Sequence, residues 1–586
     1  MPSSNTGSRS GRDRELVMPG IRDVVTRPES RRRYETAGLW AGATLTGMLR
    51  EHAQIAPGAL AVVDGTDGRT VTYGELWDDV VKFSSYLIAN GIRPGDVVSV
   101  QLPNRYEAVV ADLGALAAGA ILNPLLPNYR SHELAHILNW IGTKVIVTAG
   151  FYRGFDFSTM IDELRKEKVP SLDLHVVLDG QRGIPGADKG TGETAAGPSG
   201  EASIGLPELD AADVSEIVFT SGTEAIPKAV MHTENTANCA VQKTFEFLGM
   251  APSDVVWMPS PVGHSTGLNF GIRFAIYLGL PLVLQDAWDA RRAIELISAY
   301  RCSFTLAATT FLSDLLDAAA HEPGCDLSSM RFFSCGGAPV TAELVRAADE
   351  RGIGVLRLYG ATETLSATWM PVNAGPAKKA ATDGAVMPHV ALEVRDEAGA
   401  KVSNGTPGEL VVRSANTAVG LFNDPERTAR TFLPDGWVRT GDLGTLDDEG
   451  YVTVIGRLKE IIIRGGLNIA PREIEDELSQ MPGVRAVAVL GLPNERLGEI
   501  TCACIVADPA RPAVIELAEV AAFLEGRGVA KYKFPQRIER VPELPMTPSG
   551  KVQKHVLRAA LLPDSVPSLT DVATISPNAA GEDRIA

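Results

Sequence analysis

Hydrophobic and polar positions along this chain alternate between two periods. Short β-branched runs, "DVVSVQL" (96–102), "KVIVTA" (144–149), "LHVVLD" (174–179), "EIVFTS" (216–221), "LPLVLQ" (280–285) and "SFTLAAT" (303–309), read as buried strands. Segments of helical period lie between them, among them "YGELWDDVVKFSSYLIANG" (73–91) and "YRSHELAHILNW" (129–140). In the second, Leu134, Ile137, Leu138 and Trp140 form the apolar side and Ser131 is the expected N-cap. This alternation predicts α/β layering with largely parallel sheets. The most apolar run, 108–126, is broken by Asp112, Gly114, Gly119, Asn123 and Pro124, so it reads as an Ala-rich helix entering a strand and not as a membrane span. The stretch 180–205 is Gly/Ala/Ser-rich and aperiodic, hence a surface loop. Its G-x-G-x-x-A at Gly190, Gly192 and Ala195 lacks the leading strand and following helix that dinucleotide binding needs.

Composition narrows the class. With 586 residues and 45% apolar content the chain can bury several cores. A formal net charge of −17 argues against a general nucleic-acid or anionic-membrane partner, so anionic ligands must be met locally. The six cysteines, at 239, 302, 325, 335, 502 and 504, form no C-x-x-C pair and no disulfide framework, which implies reduced thiols and a cytoplasmic location. The N-terminal stretch to about residue 35 is polar and arginine-rich, interrupted by acids and followed by no apolar segment, and reads as a loosely packed extension.

Candidate chemistry begins at "HELAH" (132–136), which matches the H-E-x-x-H pattern of zinc metalloproteases. On a helix His132 and His136 share one face, with Glu133 available as general base. The third ligand is missing. The extended pattern requires Gly at 139 and His at 142, where this chain has Asn139 and Gly142, and Asp156 lies in no supporting helix pattern. The apolar periodicity makes this a packing helix and leaves a zinc protease as the remote alternative.

A stronger signal follows the strand "EIVFTS". In "TSGTEAIPKAVMHT" (220–233), Thr220, Ser221, Gly222, Thr223 and Lys228 make a loop rich in phosphate-facing donors, although it lacks the glycine and Ser/Thr flanking the lysine of a Walker A loop. Four further motifs follow: "YGATET" (359–364), "GWVRTGDLG" (436–444), "GRLKEIIIRGGLNIAPREIE" (456–475) and "PMTPSGKVQK" (545–554). In this order they resemble the adenylate-forming (AMP-binding) superfamily over residues 45–560, in its acyl-CoA synthetase branch, similar to medium-chain or cyclohexanecarboxylate–CoA ligases.

The resemblance implies activation of a small-molecule carboxylic acid by ATP through an acyl-adenylate, then transfer to coenzyme A. It implies Lys551 as the catalytic lysine, Glu363 as the Mg²⁺ ligand, Thr362 as a donor to the α-phosphate and Tyr359 against adenine. Asp442 would accept the ribose hydroxyls and Arg457 would approach the ribose or phosphates. Lys459 would be the hinge about which a small C-terminal domain swings, and Gly465 and Gly466 would line the pantetheine channel. Lys531 and Lys533 are weaker candidates for a CoA phosphate. Gly336, Gly337 and Ala338, in "SCGGAPV", would border adenine and acyl group; His264 and Gly267, in "PSPVGHSTG", would border the acyl pocket. The apolar character of that pocket suits a medium-chain, alicyclic or aromatic acid. Glu224, Ala225 and Ala229 depart from the usual phosphate loop.

The implied architecture is a large N-terminal domain of stacked mixed sheets with helices (41–457), preceded by an extension (1–40) and followed by a small mobile α+β domain (458–560) and a flexible tail (561–586). An adenylating enzyme that passes the acyl group to a carrier protein or other acceptor is the main alternative. A silent binding protein would have lost Lys551 or Glu363, and both are present.

Overall fold

The computed structural model describes residues 28–178, 205–220, 227–322, 324–336, 340, 342–509, 515–547 and 551–562. The motif at Gly190, Gly192 and Ala195, the loop residues Ser221, Gly222, Thr223, Glu224 and Ala225, and the pair Gly337 and Ala338 lie outside the described residues.

Each β-branched run forms a strand, and the strands sort into two large mixed sheets. One has nine strands, of which Leu60–Asp64, Leu282–Leu284, Val256–Met258, Phe304–Ala307, Phe332–Cys335 and Val355–Tyr359 run parallel, with antiparallel edges. The other has seven; Val214–Phe219, Ile121–Pro124, Val97–Gln101, Val145–Thr148 and Leu174–Val177 are parallel, and Ala229–Thr233 returns antiparallel to the first of these. Helices packed on the sheets hide both faces of such strands, which is why they read as continuous apolar runs. The helix Tyr73–Ala89 starts at Thr72, whose hydroxyl accepts the Glu75 N–H while Glu75 accepts the Thr72 N–H. Its Leu76, Val80, Phe83 and Leu87 recur at helical spacing and are buried. The Ala-rich run becomes the buried helix Tyr106–Ala117 and the strand Ile121–Pro124. Among the described residues no helix is long and apolar enough to cross a membrane.

The "HELAH" segment is the helix Ser131–Trp140. Ser131 is its first helical residue and not the cap; Glu133 reaches back to accept the Arg130 N–H at 3.0 Å, so its carboxylate is committed to the helix start. His136 lies edge-on to Trp140, which in turn meets Phe219, the residue before Thr220. Among the described residues no three His, Cys, Asp or Glu side chains are grouped to hold a metal, and the zinc-protease reading is set aside. Of the expected loose N-terminal extension, residues 1–27 lie outside the described residues, whereas its end is ordered. Pro28–Thr36 is a helix, and Trp40, 6% exposed, packs on Cys239 and Ala415 because its indole finds both an apolar seat and an acceptor.

A four-stranded antiparallel sheet, Val390–Arg395, Gly408–Ser414, Val438–Leu446 and Val452–Arg457, completes the large domain. The 3₁₀ turn Leu458–Glu460, holding Lys459, leads into a separate five-stranded sheet with the helices Pro471–Leu478, Leu517–Gly526 and Lys554–Leu561. That unit has its own core, built on Ile462, Ile474, Leu478, Val489 and Ile505.

One charged cluster sits within the apolar interior. Arg273, fully buried, donates to Glu234 at 2.6 Å, to Glu216 at 3.1 Å, and to Asn238 and Asn269. Glu216 belongs to the seven-stranded sheet, Glu234 opens the helix Glu234–Leu248, and Glu234 also accepts the Leu45 N–H, so the cluster ties four elements together, that of Arg273 included. Removing the cation alone strands two buried carboxylates. Arg273→Met is expected to destabilise the large domain by about 3–5 kcal/mol, read from its denaturant midpoint; a loss below about 1 kcal/mol would show the carboxylates to be relieved otherwise.

Burial also lowers the imidazoles of His175, His264 and His389 from 6.5 to about 4. The unfolded chain therefore binds more protons than the fold between these values. The contribution of these rings to stability is full above about pH 6.5 and declines as pH falls toward 4, by up to about 1.4 kcal/mol per pH unit per ring. Denaturant titrations across this window should show the decline, with a shallower slope in His175→Asn.

Candidate active site

The strand Val214–Phe219 and its antiparallel neighbour Ala229–Thr233 bring the two ends of the phosphate loop together. Thr220 N–H donates to Lys228 O at 3.0 Å and the Thr220 hydroxyl accepts Lys228 N–H at 3.4 Å, closing the loop's mouth. Lys228 then extends its ammonium to Glu363 Oε1 at 3.0 Å, a pair only partly screened by solvent. The loop is thereby joined to "YGATET" across 135 residues of sequence. Ala418 N–H donates to Glu363 O at 2.8 Å, and His232 Nε2 lies 2.7 Å from Thr362 O. A carbonyl only accepts, so that nitrogen carries the proton, and complete burial keeps the ring neutral by lowering its pKa. His232 was missed in the sequence. It looks like one more residue of an apolar strand, and its partner lies 130 positions away.

The next group sits where the strand ending at Arg457 pairs with the one carrying Asp442; the two residues are register partners. Arg457 Nε lies 3.3 Å from Asp442 Oδ1, and Tyr359 OH donates to Asp442 Oδ2 at 2.8 Å. Burial raises the Asp442 carboxyl above its usual range despite the opposing pull of Arg457 and the tyrosine hydrogen bond. Both carboxylate oxygens are oriented by protein yet keep lone pairs for further donors.

Lys551 comes from the small domain. Its backbone is fixed by a pair of bonds with Thr547, at 2.7 and 3.0 Å. Its side chain is reached by solvent, yet protein crowds round it in a cleft where it feels Arg457, Asp442, Glu363 and Glu460. That crowding and Arg457 lower its pKa, while the three carboxylates act to keep the proton. His264 faces the same cleft. Its Nδ1 accepts the Thr266 N–H at 3.3 Å, leaving the proton on Nε2, and burial, followed by the charge of Lys551, holds the ring neutral. Lys228, Tyr359, Thr362, Glu363, Asp442 and Arg457 are thus linked by direct contacts, and Lys551 of the small domain and His264 join them through charge interactions.

Two pairs of sequence candidates lie elsewhere. Gly465 and Gly466 form the tip of the hairpin Ile462–Arg464 to Leu467–Ile469, and their φ values of 59° and 82° are those of a type I′ turn. The tip is in solvent and flanked by exposed Ile463 and Leu467, so in this conformation it lines no channel. Lys531 pairs with Glu525 and Lys533 with Glu473, so both cations are met within the small domain. Gly267 ends a tight turn in which a Cβ would stand 2.2 Å from Pro261 O, and one on Gly336 would stand 2.6 Å from Leu358 O; packing alone demands both glycines.

Comparison with known proteins identifies the family. A family model described as AMP-binding enzyme matches residues 49–422, and one described as AMP-binding enzyme C-terminal domain matches 473–551. A medium-chain fatty-acid–CoA ligase of Escherichia coli is 34% identical over 564 residues, covering 95% of this chain and 97% of its own. A 3-[(3aS,4S,7aS)-7a-methyl-1,5-dioxo-octahydro-1H-inden-4-yl]propanoyl:CoA ligase of Rhodococcus jostii is 35% identical over 513 residues, covering 85% and 95%. Among solved structures, ATP-bound MatB from Rhodopseudomonas palustris superposes with a TM-score of 0.75 at 28% identity, over 88% of this chain and 98% of that one. The chain belongs to the AMP-binding enzyme family and is an adenylate-forming enzyme of the acid–CoA ligase type, using ATP to activate a carboxylic acid.

Proposed function

We propose that the cleft activates a medium-chain, alicyclic or aromatic carboxylic acid and passes the acyl group to coenzyme A. The convergence of Lys551 with Glu363, Asp442, Arg457 and His264 on one cleft carries this reading. In the first half-reaction a carboxylate oxygen of the acid attacks the α-phosphorus of ATP. The new P–O bond gives the acyl-adenylate, and the bond to the β-phosphate breaks to release pyrophosphate. In the second, the CoA thiol gives up its proton, its sulfur attacks the acyl carbonyl, and AMP leaves with the bonding electron pair.

Each residue has a task set by its environment. Lys551 neutralises the carboxylate and α-phosphate as they approach, where charge builds up. Lys228 exchanges Glu363 for the polyphosphate, which frees a solvent-reachable carboxylate oxygen. A single carboxylate of this kind fits Mg²⁺, a hard ion held by one or two protein oxygens plus phosphate and water, which would neutralise charge on the polyphosphate. Thr362 donates to the α-phosphate and Tyr359 packs on adenine. Asp442, preset by Tyr359 and Arg457, accepts the ribose hydroxyls. His264 serves as a neutral Nε2–H donor at the edge of the acyl pocket, and a neutral ring there does not compete with Lys551 for the anion. Lys459 serves as the hinge, and a swing about it would bring the Gly465–Gly466 turn to the cleft in place of Lys551. Six scattered cysteines, all free, support a reducing cytoplasm as the compartment. The relatives named for medium-chain and polycyclic acids support the substrate class.

A pyrophosphate-release assay over a panel of carboxylic acids, run with and without CoA, tests the proposal. Acid-dependent release is expected, with thioester only when CoA is present; release without thioester would assign the acyl group to another acceptor. Lys551→Ala should slow acyl-adenylate formation by about 10²–10³-fold. Thioester formation from supplied acyl-adenylate and CoA should stay near wild type, and parallel loss of both steps would remove the assigned role.

A further inference from the structure

The loop that presents Glu363 is held in a strained shape. Leu365, one residue past "YGATET", has φ of 49° although it is not glycine, and it is buried. The loop closes through Thr364 N–H to Ala361 O at 3.0 Å and Ala367 N–H to Tyr359 O at 3.0 Å. Gly360 makes this closure possible, since a Cβ there would lie 1.9 Å from Leu365 O.

One side chain grips both sides of the strained residue. Asn416, with 0% exposure, donates from Nδ2 to Thr364 O at 3.1 Å and to Ser366 O at 2.8 Å, the carbonyls of the residues flanking Leu365. A carboxamide NH₂ has two donors to meet two acceptors; an alanine has none, and an aspartate would set oxygen against oxygen. The same segment continues to Ala418, whose N–H donates to Glu363 O, and it is anchored behind by Trp40 Nε1–H to Ala415 O at 2.8 Å. The segment 415–418 is thus a brace with the Glu363 loop on one side and the N-terminal segment on the other.

We infer that Asn416 is a positioning residue for the first half-reaction: it pins Leu365 in its left-handed conformation and so fixes where the Glu363 carboxylate stands, with Trp40 anchoring the brace. The inference rests on the reading that Glu363 holds Mg²⁺ during adenylation. It makes adenylation, and specifically its Mg²⁺ dependence, sensitive to residues that touch no substrate. Thioester formation from preformed acyl-adenylate should be indifferent to them.

The test uses the full chain with an acid active in the panel. Asn416→Ala should lower the rate of pyrophosphate release at saturating ATP by between about tenfold and 10²-fold, the scale of a misplacement near 1 Å, and raise the Mg²⁺ concentration giving half the maximal rate. The rate of thioester formation from supplied acyl-adenylate and CoA should remain within about twofold of wild type on the same reasoning. A folded Asn416→Ala with unchanged adenylation and Mg²⁺ dependence would overturn the inference, as would equal loss of both half-reactions. Should Asn416→Ala fail to fold, Trp40→Phe decides, since it keeps the ring and removes only the anchoring N–H: a smaller shift in the same direction supports the inference and no shift overturns it. Glu363→Gln separates the two claims. If it leaves the Mg²⁺ dependence unchanged, the metal reading falls and the inference with it; if it shifts that dependence while both brace variants do not, only the inference falls.

Discussion

Repulsion between a carboxylate and a triphosphate is the constraint around which the cleft is arranged, and it must be solved in a chain whose net charge is −17. The answer is to gather cations locally, and that raises a second problem. Lys228, Arg457 and Lys551 are brought into one region, and like charges in partly desolvated surroundings repel one another. The acidic residues of the site resolve it. Glu363 holds Lys228, Asp442 holds Arg457, and together with Glu460 these carboxylates counter the burial and the Arg457 charge that pull Lys551 toward deprotonation. These carboxylates are thus the partners that keep the cations charged and in place.

Delivering Lys551 from a separate domain requires that domain to be oriented. Asp383 of the large domain accepts Arg357 Nη2 at 2.6 Å and, at 3.3 Å, Arg472 from the first helix of the small domain. Burial alone would raise this carboxyl, but Arg472 and Arg357 more than offset it and hold it below the usual range. Arg357 is itself on the strand that ends at Tyr359, so one carboxylate links that strand to the helix after the Gly465–Gly466 hairpin. With this contact made, the lysine faces the cleft and the hairpin faces solvent. Asp383 has a second cation in Arg357 of its own domain, so its charge is met there as well as by Arg472.

What could be read from the sequence was what repeats locally. Strands such as Val145–Thr148 show as short β-branched runs, and "RGGLN" shows its turn because two adjacent residues of positive φ call for glycines. The motifs placed Lys551, Asp442 and Glu363 in the sequence but not their partners. The Lys228–Glu363 pair spans 135 positions, and Trp40 to Ala415 spans 375, separations over which no local pattern carries information. Arg273 was equally hidden. It lies in an apolar stretch that forms a π-helical turn, Leu268–Arg273, and only the fold reveals that two acids meet it there. Ser131 failed as a cap because the helix starts one residue earlier, with Arg130 at the cap position and Ser131 already in the first turn.

"HELAH" shows how a motif can match in letters and differ in physics. A zinc site would need Glu133 unengaged and both imidazoles turned to one point, whereas here Glu133 completes the helix start and His136 rests on Trp140. Trp140 carries the consequence. Its ring meets Phe219 on one side and the Arg427 guanidinium on another, and Arg427 also donates to Pro227 O. Phe219 and Pro227 bracket the two ends of the phosphate loop. Through these contacts the helix supports the two ends of that loop, where Thr220 and Lys228 emerge and Lys228 meets Glu363.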